Sequence, residues 1–293
     1  VGWTSTDLIT RVKRRGVIPV AQATWLDADF LETADDEILS YLVPLVRRVR
    51  EDYYLQETDF TVSDGAEYRL PYRAAGAALR DLQLITSGGD VKHPPRITID
   101  ELDDEAVGAW GAYFFGGVIR LLEVEASDYP TLRMVYYLRP SALVAPSAVG
   151  VVQSFNATAK TITLVAAPAA FTGITSWDVV RAKPGFDMLA FDKAGTIVGT
   201  TITFSTALPA DLAVGDYVCL PEQTPVPQIP AEFFSLLVER MVFRFAQGQG
   251  DTEAAQLAAS VATRLEADAT SLIQQRLGPM HTKIMPVRGL WGR

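Results

Sequence analysis

Apolar residues recur every three or four positions at both ends of this chain and every second position through its middle. That change of period sets out the elements. Thr4-Ser5-Thr6-Asp7 has the form of a capping box, Leu8 and Val12 share one helical face, and Gly16 is a natural stop. Lys13, Arg14 and Arg15 fall in the last turn, where the helix dipole favours cations. A second start signal, Thr24-Trp25-Leu26-Asp27, precedes a stripe of Phe30, Leu31, Ala34, Ile38, Leu42, Leu45, Val46 and Val49. The spacing predicts one helix from about Asp27 to Tyr54, roughly 40 Å long at 1.5 Å per residue. Pro44 should kink it, since proline removes a backbone donor.

From Phe60 the period falls to two. Val62, Tyr68, Leu70 and Leu79 to Ile85 read as strands, with Asp64-Gly65 and Gly88-Gly89 as turns. Tyr113-Phe114-Phe115, Gly116-Gly117 and Val118 to Val124 read as a hairpin, and Leu132 to Leu138 as a further strand. Residues 149–221 form a Thr-, Val-, Gly- and Phe-rich island. Its candidate strands are Val149–Phe155, Lys160–Val165, Asp178–Arg181, Asp187–Phe191, Thr196–Phe204 and Tyr217–Leu220. Short strands with regular turns suggest a small barrel or sandwich. Proline-bearing linkers, Arg139 to Pro146 and Pro221 to Pro230, mark it as an insertion.

Helix returns after Pro230, with Phe233, Phe234, Leu237, Val238, Met241 and Phe245 on one face. Gly248-Gln249-Gly250 breaks it, Asp251 or Thr252 caps another helix, and Leu257, Val261, Leu265, Leu272 and Ile273 continue the stripe among alanines. This predicts a helical hairpin. The segment from Arg276 to Arg293 differs: Arg276, Lys283, Arg288 and Arg293 without an acid, interrupted by Pro279 and Pro286. Its apolar Ile284, Val287, Leu290 and Trp291 have no local partner, which suits a segment that orders on another surface.

The fold class predicted is α+β. A helical core, made of the long N-terminal helix plus the C-terminal hairpin, carries a β-rich middle and an inserted small β-barrel or sandwich. The divisions are a core of residues 1–146 and 222–275, an insert at 149–221 and a tail at 276–293. A chain of 293 residues, 48% hydrophobic, has ample material for such cores. Its net charge of −9 argues against a general nucleic-acid binder, yet an acidic wall lets a polyanion slide past without sticking. Val1 to Gly16 lacks an apolar secretory core, no apolar run is long enough to span a membrane, and a start at Val1 is read as an initiator Met removed or left unnumbered. Cys219 is the sole cysteine, so neither an intrachain disulfide nor a thiolate metal cluster can form.

Candidate chemistry is sparse. His93 and His281 sit in separate loops without metal spacing. There is no Walker A loop, dinucleotide loop or nucleophile elbow. Asp27, Asp29, Glu32, Asp35, Asp36 and Glu37 cluster on the second helix and are read as a solvated face. Asp100, Glu101, Asp103, Asp104 and Glu105 are read as a solvated loop. The insert's Phe155, Phe171, Trp177, Phe186, Phe191 and Phe204 are read as barrel filling before a sugar site, and Cys219 as a small packing residue. No catalytic, cofactor or metal site is expected.

The order of elements resembles the head-to-tail adaptor, or connector, proteins of tailed, short-tailed bacteriophages. The resemblance is carried by Leu8-Ile9-Thr10-Arg11-Val12-Lys13-Arg14-Arg15-Gly16, by Leu26-Asp27-Ala28-Asp29-Phe30-Leu31 with Ala34-Asp35-Asp36-Glu37-Ile38, and by Leu132-Arg133-Met134-Val135-Tyr136-Tyr137-Leu138-Arg139-Pro140-Ser141-Ala142-Leu143. The C-terminal helix pair with its basic tail is a further match, and the large β-insert departs from the compact pattern. The resemblance implies a non-enzymatic virion protein of the neck, made in the host cytoplasm. It implies a homo-oligomeric ring, commonly a dodecamer, with portal protein on one side, tail tube, nozzle or fibre proteins on the other, genomic DNA passing through the lumen, and no membrane. The tail residues Arg276, Lys283, Ile284, Val287, Arg288, Leu290, Trp291 and Arg293 would bind the portal. Phe30, Ile38, Leu45, Phe234, Leu257 and Leu265 would pack subunit against subunit. Two other readings stand beside it: a tail or neck accessory protein whose insert binds carbohydrate or fibre, and a DNA-packaging regulator, which would need a concentrated basic face.

Overall fold

The computed structural model describes residues 3–19, 24–63, 65–98, 110–182 and 188–274. Helix α1 (Ser5–Arg15) begins at the expected capping box: the Thr4 hydroxyl accepts from the Asp7 N–H, and the Asp7 carboxylate accepts from the Thr4 N–H at 3.0 Å. Gly16 ends it. The second helical stretch starts at Asp27 as expected, but with a different cap. The Asp29 carboxylate accepts from the Leu26 N–H at 2.7 Å, so Asp29 does the capping and Thr24 does not. The expected single helix is α2 (Asp27–Glu37), a wide π-helical turn over Ile38–Leu42, α3 (Val43–Val49) and a 3₁₀ turn over Glu51–Tyr54. The Val43 N–H reaches back five residues to the Ile38 carbonyl. This wide turn stands directly ahead of Pro44, whose ring crowds the preceding turn.

Two four-stranded sheets follow. One has the order β1 (Leu55–Thr61), β8 (Thr131–Leu138), β3 (Ala74–Ile85), β4 (Val91–Lys92). The other has the order β2 (Glu67–Arg69), β7 (Val118–Leu122), β6 (Gly111–Phe115), β5 (Arg96–Ile97). Leu82, Leu84, Leu132 and Met134 of the first sheet meet Tyr68, Ala112 and Ile119 of the second in one buried cluster, so the two form a sandwich. Gly111 permits the close pairing of β6 with β5 in the second sheet: a Cβ there would stand 2.6 Å from the Pro95 carbonyl oxygen.

The island is a closed barrel of β10 (Gly150–Asn156), β11 (Thr161–Leu164), β14 (Thr201–Phe204), β13 (Met188–Val198), β12 (Ser176–Val180) and β15 (Tyr217–Cys219). The stretch Thr196–Phe204, expected as one strand, is the β13–β14 hairpin. Gly199, at φ 61, makes its turn, and Val198 pairs with Thr201. Phe171 and Trp177 meet edge to face at 4.8 Å inside the barrel. The chain enters and leaves the barrel side by side. β9 (Ala142–Leu143) pairs in parallel with β16 (Gln223–Thr224), and Arg139 bridges Glu222 at 2.5 Å.

Helices α4 (Phe234–Gln249) and α5 (Thr252–Ile273) are the last elements among the described residues, joined at Gly250, whose φ of 75 suits glycine. The Asp251 carboxylate caps α5 by accepting from the Ala254 N–H at 2.9 Å. Ala255, Ala258, Ala262 and Ala269 are buried, and their small side chains let α5 lie close on its neighbours. α4 also packs on α1 and α2, and Phe245 lies 4.4 Å from Phe30, ring to ring.

Candidate interaction surfaces

The barrel meets the sandwich through a buried charge network. Arg73, just before β3, is 2% exposed, and its Nη2 donates to both oxygens of Asp178 on β12 at 3.0 and 2.9 Å. Its Nε lies 3.1 Å from Asp192 on β13, and the Tyr72 hydroxyl donates to Asp192 at 2.6 Å. Asp178 also accepts from the N–H groups of Asp192 and Glu222, each at 3.0 Å. Burial raises the Asp178 pKa, opposed by Arg73 and these hydrogen bonds. Each Asp178 oxygen thus receives both the guanidinium and a backbone N–H, the condition for burying such a charge.

A second network ties α2 to α4. Glu37 is 1% exposed and receives Arg240 Nε at 2.7 Å and Arg244 Nε at 2.5 Å. Arg240 also lies over the Tyr41 ring at 3.7 Å. The acidic cluster expected to be solvated is therefore mostly engaged. Asp27 bridges Lys13 at 2.7 Å, Asp29 caps α2, Glu37 is buried, and Asp35 accepts from the Leu143 N–H at 3.0 and 3.1 Å. Burial pushes the Asp35 carboxyl up to about 7; the Leu143 N–H pulls it down and Asp36 adds to the rise. Sequence reasoning missed Arg73 and Asp178 and misread Glu37. Glu37 stands three residues past Ala34 on the apolar stripe, and Asp178 sits inside Trp177-Asp178-Val179-Val180. A carboxylate in an apolar row requires a buried cation, and that was the legible signal.

Of the residues expected at subunit contacts, Phe30, Ile38, Leu45 and Phe234 are buried in the chain's own helical core. This corrects the assignment: helices at both ends of the chain pack on one another, and the stripe is used within one subunit. Leu265 packs against the same core from a half-buried position, while Leu257 stays 61% exposed. Arg276, Lys283, Ile284, Val287, Arg288, Leu290, Trp291 and Arg293, with His281 and the acidic run from Asp100 to Glu105, lie outside the described residues. His93 contacts Asp81 at 3.1 Å in the open.

Phe171, Trp177 and Phe204 fill the barrel interior, Phe155 is largely on its surface, and Phe186 lies outside the described residues. Among the described residues the barrel's carboxylates are engaged: Asp178 and Asp192 with Arg73, Asp216 with the N–H groups of Ala182 and Ala213, and Asp211 with Arg181. Among the described residues no group of three His, Cys, Asp or Glu side chains could hold a metal, and no helix is long and apolar enough to cross a membrane. Cys219 is buried, and burial raises its thiol pKa well above the usual value. A groove of about 560 Å³ runs between β3 and the tip of the β6–β7 hairpin, where Phe115 is 70% exposed.

The chain belongs to the SU10 adaptor protein family, which it matches over residues 3–197. It is a bacteriophage adaptor protein. The matched stretch takes in the N-terminal helices, both sheets of the sandwich and the barrel as far as β13. The C-terminal helices, expected to carry part of the resemblance, lie beyond it. The barrel, expected outside the family pattern, is largely within it. No curated protein matches the chain significantly.

Proposed function

We propose that the chain is a head-to-tail adaptor of a short-tailed phage neck. Copies form a ring, twelvefold by the resemblance, beneath the portal, and genomic DNA passes through its lumen. The observation that carries this reading is the family match across residues 3–197. The net charge of −9 supports it, because DNA must cross such a ring without adhering. The work is mechanical: binding energy between copies, portal and tail, with no chemical step. The protein is made in the host cytoplasm and resides in the virion.

In this reading the tail from Arg276 to Arg293 contacts the portal, with Ile284, Val287, Leu290 and Trp291 supplying apolar area and the cations matching an acidic surface. One tail binds weakly, since ordering each residue costs about 1–2 kcal/mol. A ring binds well because each later tail acts at high effective concentration. The barrel faces tail tube, nozzle or fibre proteins, and Leu257 lies at a contact between copies. Co-sedimentation with DNA-filled heads tests the tail: full-length protein binds, and protein truncated after Gln275 stays in solution. Equal binding by both would move the portal contact elsewhere.

A further inference from the structure

The first sheet of the sandwich has two open edges. β1 pairs with β8 along all seven residues, Leu55 to Thr61, and among the described residues no strand lies on its other side. β3 pairs outward only at Leu84 and Ile85, with β4. Its outer side from Ala74 to Gln83 has no strand beside it among the described residues. Open edges invite pairing and are usually blunted by charge, proline or a twist. Here the exposed stretch is Gly76-Ala77-Ala78, followed by half-buried Leu79; the register against β8 shifts between Ala74 and Leu79 and again between Leu79 and Asp81, and the ladder is regular from Asp81.

The groove of about 560 Å³ runs along this same edge. Ala78, Leu79, Arg80 and Leu82 form one wall, and Phe114, Phe115 and Val118 form the other. The space lies at the mouth of the sandwich, where one more strand would continue the sheet. Arg80 and Arg96 stand on its rim, against Asp81, and Arg80 also reaches Glu51 at 2.7 Å. The opposite edge of the sheet is acidic: Glu57 and Asp59 are exposed on β1, sharing Arg133 between them. β1 and β3 both run antiparallel to β8, so they point the same way.

We propose that β1 of a second copy seats along the outer edge of β3, so that the sheet continues from copy to copy. The occupant is argued from one sheet that carries both unpaired edges, with Glu57 and Asp59 on one and Arg80 and Arg96 beside the other, exposed charges whose pairings within the chain are weak enough to exchange at a contact. A rotation that brings one of these edges to the other repeats around a ring and leaves neither of the two unpaired, as a head-to-tail contact requires. Phe115 is then covered by the neighbour. The inference rests on the ring reading above and names the contact that builds the ring.

The test uses the full chain carrying Glu57→Cys and Ala78→Cys together, both positions being exposed. Cys219 is buried, so the wild-type background is silent. A short bismaleimide should give a ladder of covalent oligomers with the double variant and none with either single variant. Native mass is measured on the same samples. Oligomers that never cross-link overturn the edge contact and leave the ring standing; a monomer with and without portal overturns both. As a second arm, Ala78→Lys places a charge on the edge without touching a core and should weaken self-association at least about tenfold. Unchanged association would equally overturn the proposal.

Discussion

Arg73 and Asp178 meet at 2.9 Å with 2% and none of their side-chain surface exposed, one on the sandwich and the other on the barrel. A buried pair of this kind is costly to break and cheap to replace whole. Arg73→Met leaves Asp178 uncompensated and should lose about 3–5 kcal/mol. The double variant Arg73→Met/Asp178→Leu should recover much of that. Urea denaturation followed by circular dichroism reads both. A double variant no more stable than the single would show that the loss does not come from the stranded carboxylate.

The same pair conditions removal of the barrel. Because β9 and β16 bring the two chain ends together, deleting 149–221 across a short linker should leave a soluble, helical product. The deletion strands Arg73 beside a lost partner, so Arg73→Leu in the deleted chain should raise its melting temperature. Calorimetry of both deletions checks this. Loss of helical content in both would mean that the barrel belongs to one cooperative core with the helices.

Glu37 and its arginines should respond unequally. Arg240 and Arg244 retain 20% and 51% exposure and can turn to water, whereas Glu37 cannot. Replacing both arginines with Met should therefore cost about 3–5 kcal/mol, and Glu37→Gln less than half of that. Chemical denaturation of the two variants ranks them, and the reverse order would contradict the burial argument.

Asp35 gives a pH dependence. Its carboxyl rises from 3.8 to about 7 on folding, so between those values the folded chain holds the proton more tightly than the unfolded chain. The contribution is fully present below about 3.8 and is lost as pH rises through about 7. Each pKa unit is worth about 1.4 kcal/mol before screening at this half-buried site reduces it. Asp35→Asn should flatten the slope of stability between pH 5 and pH 8, values chosen to span roughly that window. Melting curves at both pH values suffice, and an unchanged slope would exclude Asp35 as its source.

Periodicity carried the elements further than their arrangement. The Thr4 capping box, the Gly250 break and the strands of the island were legible because each depends on neighbours in sequence. The sandwich was not, since nothing local tells Leu84 that it faces Ile119 across another sheet. The stripe of Phe30, Ile38 and Leu45 was legible as apolar but not as already covered, because its partners, Phe234 and Phe245 among them, lie some 200 residues away. The pairing of Arg73 with Asp178 spans 105 residues, and neither flanking pattern names the other.

A ring that joins portal to tail is the central claim, and native mass of the full-length protein with and without purified portal measures it most directly. The expected result is one closed oligomer, twelvefold by the resemblance, that shifts to a larger discrete complex when portal is added. A strictly monomeric protein that never associates with portal would contradict it.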